Sequence, residues 1–285
     1  MATKGPKWMV AFQGERGAFS EEAARQLCGS GIDVMPCARF EEVFQVLTAG
    51  KANAAVVPIE NTLHGSIHEN YDHLLRFDLP ILAETSVRIV HNLIARPGVA
   101  FSQVRRVYSH PAALAQCLDF FTRNRRLERV PFYDTAGSVK MIAAEQMDDA
   151  AAIASTVAAE NYGCRILKKS IEDDRRNFTR FFLLRSRKDV PKAGKGRVPG
   201  PFKTSVVFAT RNSPGMLFRS LSAFALRDLN LTKIESRPLR GKPWEYLFYL
   251  DFLGHVEDAA VQKALGHLQE LADLLRVLGS YPKTC

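Results

Sequence analysis

The feature that most constrains this chain is a repeated exchange of two hydrophobic periods. Short apolar runs stand at "WMVAFQG" (8–14), "AAVVPI" (54–59), "RVYS" (106–109), "VPFYD" (130–134), "AAIAS" (151–155) and "TRFFLL" (179–184). Between them lie stretches with helical spacing at 20–28, 40–49, 66–76, 111–124, 137–146 and 156–162. Strands that are apolar throughout are buried on both faces, so the alternation predicts an α/β fold with a mostly parallel sheet between helices. Residues 80–95, "PILAETSVRIVHNLIA", have no helical period. They read as extended chain crossing between two lobes.

A change of composition then divides the chain. Residues 185–203, "RSRKDVPKAGKGRVPGPFK", hold seven Lys or Arg against one Asp and are rich in Gly and Pro. This stretch supplies +6 of the net charge of +9, so the basic balance belongs to a solvated linker and gives no support for nucleic-acid binding. A smaller cluster, Arg123, Arg125, Arg126 and Arg129, falls in a predicted loop. Downstream, strands are predicted at 203–210, 231–237, 245–252 and 277–281, with helices at 215–226 and 257–275. That order, βαββαβ, is ferredoxin-like. Small units of this kind leave a sheet edge or face open, so pairing into a homodimer or homotetramer is expected. The expected division is 1–188, a linker at 189–202, and 203–285.

Composition removes several function classes. Hydrophobic residues make up 46% and charged residues 24%, as in ordinary globular proteins. No apolar run approaches the roughly 20 residues of a membrane span. The five cysteines, Cys28, Cys37, Cys117, Cys164 and Cys285, are widely spaced and form no CxxC pair, which suits reduced thiols. The seven histidines do not combine with them at zinc-ligand spacing. Met1 to Lys7 lack the apolar core of a secretion signal and the Ser/Arg-rich body of a transit peptide, so a cytoplasmic location is expected. GxGxxG, GxxxxGK[ST], HExxH and Ser-His-Asp patterns are missing, and no cofactor or metal is expected.

Ligands of open α/β sheets bind beyond the carboxyl ends of the strands. Four strand-to-helix turns are therefore of interest: "GERGAFSEEAA", with Ser20 as an N-cap and Glu21 and Glu22 in the first turn; "PIENTLHGSIHEN"; "YSHPAALAQC", with Pro111 opening a helix; and "YDTAGSVKMIA". A fifth candidate is the entry to the strand in "NFTRFFLLRS" (177–186), where Phe178-Thr179-Arg180 follows the charged cluster 172–176. Each turn offers a hydroxyl, a small residue and backbone N–H groups, and together they predict a pocket for a small anion. Each residue also has a plainer role. Ser, Thr and Asp cap helices, and His110 is a cap or a base. Glu60 is a pocket carboxylate or a turn former, and Arg180 pairs with Asp173 or Asp174 or with a substrate carboxylate.

"NFTRFFLL", "PIENTLHGSI", "SHPAALAQC", "DTAGS", and "AAIAS" followed by "AAENYG" stand in the order of the conserved blocks of prephenate dehydratases and arogenate dehydratases, and the chain resembles that family from about residue 8 to 283. The second domain resembles the family's regulatory ACT domain, with "KIESRP" (233–238) similar to its effector motif. The resemblance implies a two-lobed, periplasmic-binding-protein-like catalytic domain with the site in its cleft. It implies Thr179 as the catalytic residue. It also implies a substrate pocket drawn from Ala18, Phe19, Ser20, Asn61, Thr62, Ser66, His110, Thr135, Ala136, Gly137, Ser138, Asn177, Phe178, Arg180 and Phe181. The implied reaction removes carbon dioxide and water from prephenate to give phenylpyruvate in phenylalanine biosynthesis, or from arogenate to give phenylalanine. Feedback by phenylalanine is implied at Asn212, Pro214, Gly215, Met216 and Leu217 together with Glu235, Ser236, Arg237 and Pro238. Gly215-Met216-Leu217-Phe218 departs from the family's Gly-Ala-Leu-Val, placing bulkier side chains there. Two rival readings are a non-catalytic sensor of a small ligand, which would not need an intact Thr-Arg-Phe block, and a nucleic-acid regulator using the basic linker.

Overall fold

In a computed structural model the chain is described over residues 8–189, 199–239, 241 and 244–284. Of the linker expected at 189–202, residues 190–198 lie outside the described residues, as does Cys285. The chain divides into two compact units. One takes the chain up to Asn70 and Thr85–Phe181; the other takes Tyr71–Glu84 and the chain from Phe182 onward.

The elements begin with β1 (Met9–Gln13), α1 (Phe19–Cys28), β2 (Asp33–Cys37), α2 (Phe40–Thr48), β3 (Ala54–Asn61), β4 (Gly65–Ser66), α3 (His68–Phe77) and β5 (Ile81–Arg88). A second group follows: β6 (Asn92–Ala95), β7 (Arg106–Ser109), α4 (Pro111–Ala115), α5 (Leu118–Arg123), β8 (Glu128–Pro131), α6 (Thr135–Ala144), β9 (Ala150–Ala154), α7 (Thr156–Asn161) and β10 (Arg165–Lys168). β11 (Phe178–Leu184) then returns to the first sheet, whose order is β2-β1-β3-β11-β5 with β4 beside β3. The second sheet has the order β10-β6-β9-β7-β8. β1 is parallel to β2 and β3, and β7 to β8 and β9, while β6 and β10 run antiparallel at one side of the second sheet. Residues 80–95 supply one strand to each sheet, as expected of a crossing segment.

Burial explains the second sheet's thickness. β9 is Ala150-Ala151-Ala152-Ile153-Ala154, wholly buried, and its small side chains let helices approach on both sides. One face packs Leu93, Val107, Leu114, Phe121 and Ile153; the other packs Ile94, Val139, Ile142, Ala152 and Ala158. Three local expectations change. β2 and β10 lie at sheet edges, so their partly exposed side chains lack the continuous apolar run of an interior strand. The helix expected over 111–124 breaks at Gln116 and Cys117, where Cys117 leaves helical geometry at φ −127°, ψ 31°. The strand expected at 130–134 is β8, at Glu128–Pro131.

The second unit contains β12 (Phe202–Thr210), α8 (Met216–Ala225), β13 (Leu231–Pro238), β14 (Tyr246–Leu253), α9 (Ala259–Leu271) and β15 (Leu274–Pro282). Its antiparallel order β13-β14-β12-β15 is ferredoxin-like. The helices cover a face made by Val206, Phe208, Leu250 and Phe252 with Phe224, Val261 and Leu268. On the opposite face Tyr249 donates to the Tyr71 carbonyl at 2.9 Å, and Arg237 pairs with Asp72 at 3.2 Å. Gly279 has no room for a side chain, because a Cβ there would sit 2.2 Å from the Ile81 carbonyl oxygen.

This face also holds a buried ion pair, Lys203 Nζ to Glu84 Oε1 at 2.7 Å, with both side chains almost fully shielded. Removing one partner of such a pair leaves a buried charge, which costs more than removing both. Glu84→Ala is expected to lower stability by about 3–5 kcal/mol in urea unfolding, with Glu84→Ala/Lys203→Met recovering most of the loss. An equal loss in the two proteins would place the effect elsewhere.

Candidate active site

The first unit gathers its polar groups where β3 ends and β11 begins. Thr62 clasps the two segments. Its amide donates to the Phe178 carbonyl at 2.9 Å, and its hydroxyl accepts from the Phe178 amide at 3.0 Å and donates to the Arg176 carbonyl at 2.8 Å. Asn61 sits beside it. The Asn61 Oδ1 accepts from the Leu63 and His64 amides, which fixes the orientation of the carboxamide. Its Nδ2 therefore faces Asn177 Oδ1 at 2.8 Å, Thr179 Oγ1 at 2.9 Å and the Phe178 carbonyl at 3.1 Å. Three acceptors compete for two protons.

The chain of bonds continues into the second lobe. Asn177 Nδ2 donates to Gln116 Oε1 at 2.9 Å, and the same oxygen lies 2.7 Å from His91 Nε2. A carboxamide oxygen only accepts, so His91 carries its proton on Nε2. Gln116 Nε2 in turn lies 3.1 Å from His64 Nδ1. The His91 ring meets Phe19 edge to face at 5.9 Å. Burial holds its pKa below the ordinary histidine value of 6.5, against the opposing pull of Gln116 and of the Glu172 charge. Glu172 Oε2 accepts from the His91 amide, and Glu172 Oε1 from Arg88.

The first and fourth turns meet as well. Gly14 holds φ +112°, a backbone that favours glycine, and a Cβ there would lie a tight 3.1 Å from the Asp134 carboxylate; Tyr133 and Lys140 both bond Glu15 at 3.0 Å. Gly17, at φ +90°, would place a Cβ 2.5 Å from the Ala158 Cα, and its carbonyl accepts from Ser155 Oγ at 2.6 Å.

These bonds redistribute the expected roles. Asn61, Asn177 and Thr179 come together, with Phe19 one ring away. Phe178 is partly exposed beside them. Several residues do not act as expected. Ala18 is the N-cap of α1 and Ser20 lies inside the helix, buried, because Glu21 reaches back to the Gly17 amide and does the capping work. Asp134 accepts from the Gly137 amide, and Ser138 spends both amide and hydroxyl on the Asp134 carbonyl, so most donors at the start of α6 are already used. Thr135 and Ala136 open that helix. Thr62 is spent on the backbone. Phe181 is 2% exposed and belongs to the core. His110 is a cap, its Nδ1 accepting from the Ala112 amide. Arg180 faces Glu60 at 3.8 Å, while Asp173 accepts from the Leu118 and Asp119 amides and Asp174 pairs with Arg176. Ser66 pairs with Glu60 across β4 and β3.

Gln116 and His91 carry much of the network and were not selected from the sequence. Gln116 stands in the quoted "SHPAALAQC", but helical spacing hides it; only the break at 116–117 turns it inward.

In the second unit a small cavity of about 90 Å³ is lined by Asn212, Met216, Leu217, Tyr246 and Phe248 among others. Gly215, at φ +78°, opens α8 beside it, and Pro214 is exposed. Glu235, Ser236, Arg237 and Pro238 lie outside the cavity lining, on β13 in register with Tyr249, Phe248, Leu247 and Tyr246.

A family model described as prephenate dehydratase matches residues 10–189. The chain belongs to the prephenate dehydratase family. Arogenate dehydratase 2 of Petunia hybrida is 46% identical, covering 99% of this chain and 73% of that one. Arogenate dehydratase/prephenate dehydratase 2, chloroplastic, of Arabidopsis thaliana is 47% identical, covering 98% and 74%. Among solved structures, the prephenate dehydratase of Arthrobacter aurescens in complex with L-Phe superposes with a TM-score of 0.87 at 33% identity, covering 96% of this chain and 90% of that one. A protein described as a quorum quenching acylase, GqqA, reaches 0.88 at 33% identity, covering 97% and 98%.

Membership of the prephenate dehydratase family makes the chain a lyase-type enzyme, which sets aside the non-catalytic sensor. The cytoplasmic location expected from the sequence is corrected by the relatives: those from Arabidopsis are chloroplastic. Cysteine spacing without a CxxC pair does not single out the cytoplasm. Cys28, Cys37, Cys117 and Cys164 are free thiols, and burial pushes Cys37 up to about 11 and Cys117 higher still. Among the described residues no helix could cross a membrane and no cluster of metal ligands occurs.

The neutral His91 gives the site a pH signature. Its folded pKa lies below the unfolded value, so the unfolded chain binds the proton first and stability falls as pH drops below about 6.5. His91→Gln is expected to flatten the slope between about pH 7.5 and about pH 5.5 in urea unfolding, by at most about 1.4 kcal/mol per pH unit. An unchanged slope would show that another group sets it.

Proposed function

We propose that this enzyme removes carbon dioxide and water together from a cyclohexadiene that carries a ring carboxylate, a ring hydroxyl and a three-carbon acid side chain. Prephenate and arogenate are the two members of that class named by its relatives. The bond from ring carbon to carboxylate breaks, its electron pair enters the ring, and the bond to the hydroxyl breaks on the opposite side. The departing oxygen takes a proton to leave as water. Aromatisation drives the reaction, so the protein's task is to orient the substrate and stabilise the leaving oxygen.

One observation carries this reading: the hydroxyl of Thr179 receives a bond from Asn61 at 2.9 Å. With a lone pair occupied by the Asn61 amide, the hydroxyl keeps its own proton for donation, and polarisation along the chain strengthens it as a donor. A threonine is too weakly acidic to be an efficient general acid. Thr179 therefore acts as a fixed donor to developing negative charge, with the proton drawn from water. The first amides of α1 at Phe19 and Ser20 are the groups suited to a substrate carboxylate.

Thr179→Ala is expected to keep the wild-type melting temperature and lose about 10² to 10³ in turnover. Incubation with prephenate and with arogenate, scored for phenylpyruvate and phenylalanine, identifies the preferred substrate. Near-native turnover by the variant sinks the assignment.

We further propose that the second unit is an ACT-type regulatory domain of a homodimer or homotetramer, with an amino-acid effector seated at Asn212, Met216 and Leu217. The cavity at those residues supports this, as does the L-Phe in the complex of the Arthrobacter enzyme. Asn212→Ala is expected to weaken the response of turnover to phenylalanine at least about tenfold while leaving the uninhibited rate unchanged; an unaltered dose–response refutes the placement.

A further inference from the structure

A larger cavity lies in the second lobe of the first unit, and Thr179 is not among the residues that line it. It is a half-open cleft of about 470 Å³ between α5, β10 and the strand-free segment before β11, within the usual range for small-ligand pockets. Phe101 and Phe120 form an apolar wall, with ring centroids 6.3 Å apart. Lys168 stands over the Phe101 ring at 5.4 Å, and Arg175 also lines the cavity.

The charges lining this cavity are unevenly committed. Glu172 is bonded to Arg88 and to the His91 amide. Asp173 accepts from two amides at the start of α5. Asp119 lies 4.0 Å from Arg123. Lys168 and Arg175 have no carboxylate within ion-pair distance among the described residues, so their positive charge is available. Ser170, also in the lining, holds a left-handed backbone at φ +51°, an uncommon conformation for a residue with a side chain.

We propose that this cavity is a second binding site, for a small organic carboxylate with an aromatic or apolar body. The body packs on Phe101 and Phe120, and the carboxylate meets Lys168 and Arg175. Cations at the edge of an aromatic wall discriminate in favour of such ligands, because the wall contributes apolar contact while the cations fix the orientation. The lining segment is also tied to the active-site network. The Ile171 amide donates to the His91 carbonyl and the Asp173 amide to the Gln116 carbonyl, both at 2.8 Å. The site does not depend on which reaction the enzyme performs.

3-Phenylpropanoate is a suitable probe, titrated into the ¹⁵N-labelled full-length protein while the backbone amides of Phe101, Asn124 and Ser170 are followed. Saturable shifts at these amides below about 10 mM are expected in the wild type and, unchanged, in Thr179→Ala, whose substrate pocket is altered. Lys168→Ala/Arg175→Ala replaces two exposed side chains, leaves the fold intact, and is expected to weaken the same titration at least about tenfold. Either an absence of shifts at these amides in the wild type or an unchanged affinity in the double variant overturns the proposal.

Discussion

The end of β3 and the start of β11 are held together by two adjacent side chains, and the rest of the catalytic unit is arranged around that clasp. Thr62 makes backbone-like bonds to both sides of Phe178, so the lead-in to β11 cannot slide. Asn61 then has its oxygen committed to its own turn and its nitrogen aimed at Asn177 and Thr179. Every later bond has its direction dictated by this first one: Asn177 must donate to Gln116, and His91 must donate to the same oxygen. Chains of this kind are stiff, because reversing one member strands its neighbours without partners.

The parts of this arrangement that were legible in the sequence are those governed by burial. β3, β9 and β11 announce themselves because a strand covered on both faces must be apolar along its whole length. β2 and β10 do not, since an edge strand shows half its side chains to water. The turns were legible as places, and less so as chemistry. Sequence reasoning counts the N–H groups at a helix start as available donors, yet at α6 the Gly137 amide is taken by Asp134 and both Ser138 donors go to the Asp134 carbonyl, and at α1 the Gly17 amide is taken by Glu21. Gln116 shows the converse. Its spacing suits a helix interior, and only the departure of Cys117 from helical angles turns it toward Asn177.

Phe181 and Thr179 illustrate how one strand serves two purposes. Successive residues point to opposite faces of a sheet. The strand that buries Phe181 also positions the Thr179 hydroxyl two residues before it on the same face, and a shift of one residue in its pairing would turn both to the other face. The clasp by Thr62 acts directly on this register.

The assignment of Tyr71–Glu84 to the C-terminal unit has a consequence for anyone dividing the molecule. The face that carries Lys203, Tyr249 and Gly279 is finished by residues more than a hundred positions earlier in the chain. A fragment started at the Gly/Pro-rich stretch would carry that sheet without its cover, exposing an unneutralised ammonium and the Tyr249 phenol to solvent. Excision at the obvious seam therefore yields an incomplete module, and autonomous expression needs the α3–β5 hairpin grafted back or the bared face redesigned.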